Sequence, residues 1–95
     1  MTMPKYAKST DINQQEIIDA LKAIGCSVMA IGRPVDLLVG RTGANGVHNY
    51  LLEIKRPGEK PRTQTQKDFL RDWRGQVRVV ETAEEAIELV TKAYS

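Results

Sequence analysis

The fold of this chain is decided by two apolar runs, VDLLVGR at residues 35–41 and NYLLEIK at residues 49–55. Both are rich in Val, Leu, Ile and Tyr, which favour β-strands. Between them stands TGANGVH at residues 42–48, where Asn45-Gly46 is a strong signal for a two-residue hairpin turn. The sequence therefore predicts an antiparallel hairpin in which residue 44 pairs with residue 47.

That pairing predicts which side chains share a face of the hairpin. Glu53 and Lys55 are two residues apart in one strand, so both point to the same face. In this register Asp36 lies opposite Lys55, and Leu38 lies opposite Glu53, which places all three polar side chains on one face. A shift of one residue would move Asp36 behind the sheet, so the prediction depends on this register or on a compensating bulge.

The segments outside the hairpin complete an α+β domain. They are predicted as a helix at 11–24, a strand at 27–31, a helix at 63–73, a buried strand at 77–80 and a helix at 82–94. The order αβββαβα implies a mixed sheet flanked by helices, in one domain that spans residues 1–95. Residues 1–9 have no hydrophobic period and are predicted to form a loose arm.

Local signals mark the ends of these helices. Gly25 is the expected C-terminal cap of the first helix, and Asp11 or Thr10 is its expected N-cap. Thr63-x-x-Gln66 is a capping box at the start of the second helix. Trp73 is predicted to lie in the core instead of serving as a platform for a nucleic-acid base.

Length and composition define the class of protein. The chain has 95 residues, 41% of them apolar and 27% charged, which suits one globular domain. The single Cys26 excludes an internal disulfide and a multi-cysteine zinc site, so a reducing, cytosolic setting is expected. No apolar run reaches the roughly 20 residues of a membrane helix, and no signal segment opens the chain, so no membrane partner is expected.

The positive charge is concentrated in the middle of the chain. The formal net charge is only +2, yet residues 33–78 contain ten Lys or Arg residues and five acids. One interpretation is an ordinary solvated surface. The other is a basic surface that faces a polyanion such as DNA. Charge alone leaves both interpretations open.

Asp36, Glu53 and Lys55 form a pattern that suits metal-assisted hydrolysis. The two carboxylates and the Ile54 backbone carbonyl would supply three oxygen ligands to Mg²⁺ or Mn²⁺, leaving positions for water and a phosphate oxygen. The adjacent ammonium can orient the attacking water and stabilise developing charge. The alternative is an edge-strand salt bridge in which Glu53 and Lys55 point to solvent, and these three residues alone do not decide between the two.

The neighbouring motifs resemble a known family. They are GRPVDLLVG at 32–40, LEIKRPG at 52–58, TxxQ at 63–66 and GxVxVV at 75–80. Together they are similar to the VRR-NUC (virus-type replication-repair nuclease) domain of the PD-(D/E)xK nuclease superfamily, over about residues 16–90. The resemblance implies a restriction-endonuclease-like fold and a metal-dependent deoxyribonuclease. One departure is that Val35 separates Pro34 from the acid, whereas the two are adjacent in the superfamily's name.

The resemblance also implies roles for single residues. Asp36 and Glu53 resemble the metal-binding carboxylates, and Lys55 resembles the catalytic lysine. Glu16 is similar to an acid of the first helix that reaches the same metal, although an acid early in a helix also suits the helix dipole. Gln66 is similar to a glutamine that holds the nucleophile or the phosphate, although it also fits the capping box.

The expected substrate is DNA. Small stand-alone VRR-NUC domains of phage and bacterial type are similar to Holliday-junction resolvases, which implies a structure-selective endonuclease that acts as a homodimer on branched DNA. The candidate phosphate contacts are the basic residues near the site, namely Arg33, Arg41, Arg56, Lys60, Arg62 and Lys67. Two alternatives are a flap, mismatch or restriction-type nuclease, and a DNA-binding module without turnover.

Overall fold

Three helices and four strands alternate in the order αβββαβα in the computed structural model, which describes residues 9–56 and 58–92. The elements are α1 (Ser9–Ala23), β1 (Ser27–Ala30), β2 (Leu37–Gly43), β3 (Gly46–Ile54), α2 (Gln64–Asp72), β4 (Val77–Val80) and α3 (Ala83–Lys92). The predicted α+β class and element order are confirmed. None of the described helices is long and apolar enough to cross a membrane.

The sheet is mixed, as predicted. Its strand order is β1-β2-β3-β4, in which β1 and β3 each run antiparallel to β2. The connection through α2 returns the chain so that β4 runs parallel to β3. The carboxyl end of β3 therefore lies beside the carboxyl end of β4 and the start of β2.

The hairpin between β2 and β3 corrects the predicted register. Gly43 pairs with Gly46 and Leu37 pairs with Leu52, so the turn residues are Ala44 and Asn45. A type I′ turn at Asn45-Gly46 needs positive φ at both positions, but no described residue other than glycine has positive φ. The observed register differs from the predicted one by two residues. Because the shift is even, every side chain keeps its predicted face.

One face of the sheet carries the core. Residues Ile17 and Leu21 of α1 and residues Ala86 and Val90 of α3 pack against it. The sheet contributes alternate residues, which are Leu37, Val39, Tyr50, Leu52, Ile54 and Val80. The apolar residues of β3 at alternate positions, Tyr50, Leu52 and Ile54, thus select the face that receives both helices.

The ends of α1 refine the predicted caps. Cys26 N–H donates to the Leu21 carbonyl and Gly25 N–H to the Lys22 carbonyl, while Gly25 has a φ of 95°, so Gly25 ends the helix as predicted. The predicted N-cap is wrong, because α1 already includes Thr10 and Asp11. The predicted loose arm lies outside the described residues except for Ser9, which is helical.

The opposite face of the sheet is covered less completely. Met29, Leu38, Leu51 and Val77 form a row across the four strands, and Met29 remains 60% exposed. The buried character predicted for residues 77–80 holds only at the two ends of β4.

Helix α2 packs lightly, because none of its described residues is buried. Trp73, which directly follows α2, corrects a prediction, since it is 51% exposed and stacks on Phe69 with ring centroids 5.1 Å apart. With no buried surface beside this helix to receive the indole, the apolar side chains at its end pack on each other.

Candidate active site

Asp36 lies in the segment that connects β1 to β2, one residue before β2 begins. Its carboxylate Oδ2 accepts a hydrogen bond from the Ile54 N–H at 2.7 Å. Its backbone carbonyl accepts hydrogen bonds from Ile31 N–H at 2.9 Å and Gly32 N–H at 3.4 Å, which closes the bend that follows β1. Backbone contacts from two directions therefore fix this side chain at the carboxyl end of β3.

Glu53 is a buried acid on the face of the sheet opposite α1 and α3. It is 7% exposed, the only buried polar or charged residue among those the structure describes. Burial, together with the nearby negative charge of Asp36 and a hydrogen bond between the two carboxyl groups, raises the pKa of its carboxyl to about 7. Arg62, whose Nε is 3.6 Å from Glu53 Oε2, partly offsets this rise.

Lys55 continues the alternation of β3 one residue beyond its end. Its backbone N–H donates to the Val80 carbonyl at 2.8 Å, which fixes it beside β4, and its side chain is exposed. It follows Glu53 by two residues, so it lies on the same face. The alternative of a solvent-facing Glu53–Lys55 salt bridge does not describe the structure, because Glu53 is buried and pairs with Arg62.

The corrected register changes which polar residues are neighbours. Continuing the ladder one step past Leu37 and Leu52 brings Asp36 beside Glu53, not beside Lys55. The hydrogen bond between the two carboxyl groups fits this arrangement. The three residues therefore come together at one end of the sheet, but with the two acids as the closest pair.

Arg56 makes the contacts that sequence reasoning missed. Its Nη2 donates to Asp36 Oδ1 at 3.0 Å and to Gln14 Oε1 at 2.7 Å. Its Nη1 donates to Asp36 Oδ2 and to the Ile54 carbonyl, each at 3.3 Å. Gln14 comes from α1, and nothing in its local sequence indicates a partner 42 residues away.

The resemblance also implies roles for Glu16 and Gln66, and the structure shows where both residues lie. Glu16 is exposed on α1 and joins no metal-sized group of donors with Asp36 and Glu53 in the described part of the chain. Gln66 completes the predicted capping box, since its Oε1 accepts from Thr63 N–H at 2.9 Å and its own N–H donates to Thr63 Oγ1 at 3.2 Å. Their catalytic roles stay predictions.

Only some of the six candidate phosphate contacts surround the acids. Arg56 and Arg62 pair with Asp36 and Glu53, and together with Lys55 and Lys60 they line one open groove. Arg33 lines a second groove with Gln66 and Phe69, and Lys67 is exposed on α2.

Arg41 lies on the opposite, core-bearing face of the sheet. It belongs to the same alternating set of β2 as Leu37 and Val39, and its side chain is close enough to Cys26 to affect the thiol. Burial raises the pKa of that thiol, while Arg41 lowers it. Arg41 is therefore poorly placed to contact a phosphate bound at Glu53.

The donor set at Asp36 and Glu53 fits a hydrated divalent cation. Within residues 9–56 and 58–92, no group of three or more His, Cys, Asp or Glu side chains is close enough to hold a metal ion. Two carboxylates and the Ile54 carbonyl do converge, and Mg²⁺ commonly binds through one or two carboxylates while keeping several waters. The pKa of Glu53 is raised first by burial and then by the negative charge of Asp36, and a bound cation would offset that charge.

Comparisons with protein-family models, with curated proteins and with solved structures found no match to this chain. The functional assignment therefore depends on the residues of the site and on their chemistry.

Proposed function

We propose that this chain is a divalent-metal-dependent, structure-selective DNA endonuclease that hydrolyses phosphodiester bonds. The observation that carries the proposal is the pairing of Asp36 with the buried Glu53 at the end of the sheet that also bears Lys55. A buried acid beside a second acid costs stability, which makes such a pair uncommon unless a cation or a proton is part of its role.

Each residue of the site has its own role in the proposed reaction. Asp36, Glu53 and the Ile54 carbonyl would hold the cation, which supplies Lewis acidity and lowers the pKa of water when it is bound. The Lys55 ammonium orients the attacking water and stabilises the additional negative charge on the phosphate. The new bond forms between the water oxygen and phosphorus, while the attacking water gives up a proton to solvent. The bond from phosphorus to the leaving deoxyribose oxygen breaks, and that oxygen takes a proton from solvent water.

The surrounding cations favour a polyanionic substrate. Lys55, Lys60 and the two site arginines line one open groove with a single acid, Glu59. Contacts from Lys and Arg to phosphates position DNA without reading its bases, which favours selection by DNA structure. A branched DNA substrate and a cytoplasmic setting in a bacterial or phage-infected cell are part of the proposal.

A homodimer is also part of the proposal. Resolution of a four-way junction requires two cuts in opposing strands, and the described residues contain one acid pair. Two copies related by a two-fold axis would present two such sites to a substrate that is itself two-fold symmetric.

The decisive experiment compares DNA substrates and metals. Labelled four-way junctions, flaps and plain duplex are incubated with the native protein in Mg²⁺, Mn²⁺ or EDTA, beside Lys55→Ala. We expect symmetric, metal-dependent junction cleavage that Lys55→Ala reduces by at least about a hundredfold, since it removes one charge-stabilising group. Lys92→Ala, which removes an exposed lysine of α3, is the matched control and should cleave normally.

Other results of this experiment would favour one of the alternative functions. Cleavage of flaps alone would favour a flap or mismatch nuclease that uses the same acids. Cleavage of plain duplex at fixed sequences would favour a restriction-type enzyme. DNA binding with no cleavage under any metal condition would refute both enzyme assignments and favour the silent binding module.

A further inference from the structure

The guanidinium of Arg56 is held on the same oxygens that the proposed cation would use. Its two terminal nitrogens contact both carboxylate oxygens of Asp36, at 3.0 Å and 3.3 Å. One of them also contacts the Ile54 carbonyl at 3.3 Å. The guanidinium thus spans two of the three proposed metal ligands, with its side chain only 16% exposed.

Both carboxylate oxygens of Asp36 are already engaged in this arrangement. An ionised carboxylate offers about four lone-pair positions. Ile54 N–H and one Arg56 nitrogen donate to Oδ2, and the other Arg56 nitrogen donates to Oδ1. A cation that binds Asp36 on the side of Arg56 therefore takes the place of one of these contacts.

Arg56 is the contact that can leave. The Ile54 N–H is fixed in the backbone at the end of β3, and Glu53 is itself a proposed ligand. Arg56 carries a positive charge that a divalent cation repels at this distance. Its side chain is long, and Glu59 Oε2, 3.9 Å from Nη1, offers the released guanidinium another partner in the basic groove.

We propose that Arg56 is an internal counter-ion of Asp36, which a divalent cation must displace, so that metal binding frees Arg56 from Asp36 and from Gln14. This inference rests on the proposed metal-dependent function and concerns the regulation of the same site. In the metal-free protein, Arg56 offsets the charge of the acid pair and ties β3 to α1 through Gln14. After displacement, its guanidinium is available in the groove to contact a phosphate.

The first test measures metal affinity without DNA. Mn²⁺ and Mg²⁺ binding is measured by isothermal titration calorimetry for the native protein and for Arg56→Gln. We expect Arg56→Gln to bind Mn²⁺ about tenfold more tightly, because the metal no longer competes with a cation for Asp36. The variant should also be less stable than the native protein in EDTA and should gain more thermal stability from the metal.

Arg71→Gln is the matched control. Arg71 makes an equivalent two-point contact with Asp72, at 2.7 Å and 2.9 Å, on exposed α2. Its removal deletes an arginine–carboxylate pair and one positive charge at a distance from Asp36, so metal affinity should stay within twofold of the native value.

A second measurement tests the displacement directly and does not need a destabilising variant. The arginine Nε–H signals of the native protein are followed by NMR during Mg²⁺ titration, with Arg56 assigned from Arg56→Lys. The Arg56 signal should move at the same metal concentrations that saturate the site, while the Arg71 signal stays fixed.

A third measurement uses Gln14→Ala, which removes one hydrogen-bond partner of Arg56. This variant should raise Mn²⁺ affinity two- to threefold.

The outcomes separate this inference from the proposed function. Equal Mn²⁺ affinity of native and folded Arg56→Gln protein, or an Arg56 signal that does not respond to saturating metal, would overturn displacement and leave a metal-dependent nuclease standing. Absence of metal binding in every variant would overturn both.

Discussion

The two faces of strand β3 differ in the kind of residue that they bury: apolar side chains on one face, and an acid on the other. Tyr50, Leu52 and Ile54 point to the face covered by α1 and α3, which contribute apolar side chains to the core there. Leu51 and Glu53 point to the other face, which lies opposite α1 and α3. Yet Glu53 is almost as inaccessible as Leu52, because Asp36 and Arg62 enclose it.

The contrast separates what stabilises this fold from what costs it stability. Burial of Leu52 removes apolar surface from water, which is favourable. Burial of Glu53 beside a second acid is unfavourable unless a proton or a cation accompanies it, as the pKa of about 7 indicates. We infer that the helix-covered face specifies the fold and that the open face carries the chemistry, which the following experiments test.

The largest expected effect is on cleavage. Glu53→Gln should reduce metal-dependent DNA cleavage about a thousandfold, because it removes the charge of one proposed ligand. Far-ultraviolet circular dichroism should remain native, since a neutral side chain suits this buried position. Glu84→Gln, at an exposed acid of α3, should cleave normally. Full activity of Glu53→Gln would remove Glu53 from the mechanism.

The second effect compares adjacent leucines on opposite faces. Leu52→Ala should lower the free energy of unfolding by about 3 kcal/mol, because it opens a cavity in the core. Leu51→Ala, at a half-buried position on the other face, should cost about 1 kcal/mol. Urea titration of both variants measures the difference. Equal losses would mean that the open face contributes to the fold as much as the covered one.

The third effect is on the pH dependence of stability. The folded-state pKa of Glu53, about 7, lies above its ordinary value of 4.5, so between these values the folded chain keeps a proton that the unfolded chain releases. Glu53 therefore stabilises the fold at low pH, and this contribution is lost as pH rises through 7, by about 2 kcal/mol from pH 5 to pH 8.

Urea titrations of the native protein in EDTA at several pH values, with Glu53→Gln in parallel, measure this contribution. The difference between the two curves should fall with rising pH, and saturating Mg²⁺ should flatten it. A difference that rises with pH would show that Glu53 is more acidic in the folded protein than in the unfolded chain.

The smallest effect compares one capping motif on two helices. Thr63 and Gln66 cap α2, and Thr82 and Glu85 cap α3 in the same way. Thr82→Ala should lower the free energy of global unfolding by about 1 kcal/mol, because α3 packs on the core. Thr63→Ala should lower it by less and mainly accelerate hydrogen exchange in α2. Equal global losses would show that α2 unfolds together with the core.

Local signals account for most of what the sequence predicted correctly. The element order, the capping box of α2 and the cap at Gly25 depend on neighbouring residues, and all are confirmed. The hairpin register was wrong because Gly46 takes its positive φ as the first residue of β3 and not within the turn. Trp73 lies outside the core because α2, although apolar on one face, buries none of its described residues.

The candidate site was predicted in part. Alternation along β3 and the even register shift kept Asp36 and Glu53 on one face, so the convergence of the two acids could be inferred from spacing. The contact of Arg56 with Asp36 and Gln14 could not, because it depends on a side chain folding back across three elements. Its sequence position beside the acids therefore predicts a phosphate contact for Arg56, whereas the structure shows it in contact with Asp36 and Gln14.

The hairpin tip and the lone thiol together make the protein convenient to label. Ala44 and Asn45 are exposed turn residues at the end of the hairpin remote from Glu53, a position where substitutions are usually tolerated. Cys26 is buried, and burial raises its pKa, so it reacts slowly with maleimides. A dye attached at Asn45→Cys would therefore report on DNA binding from one defined point.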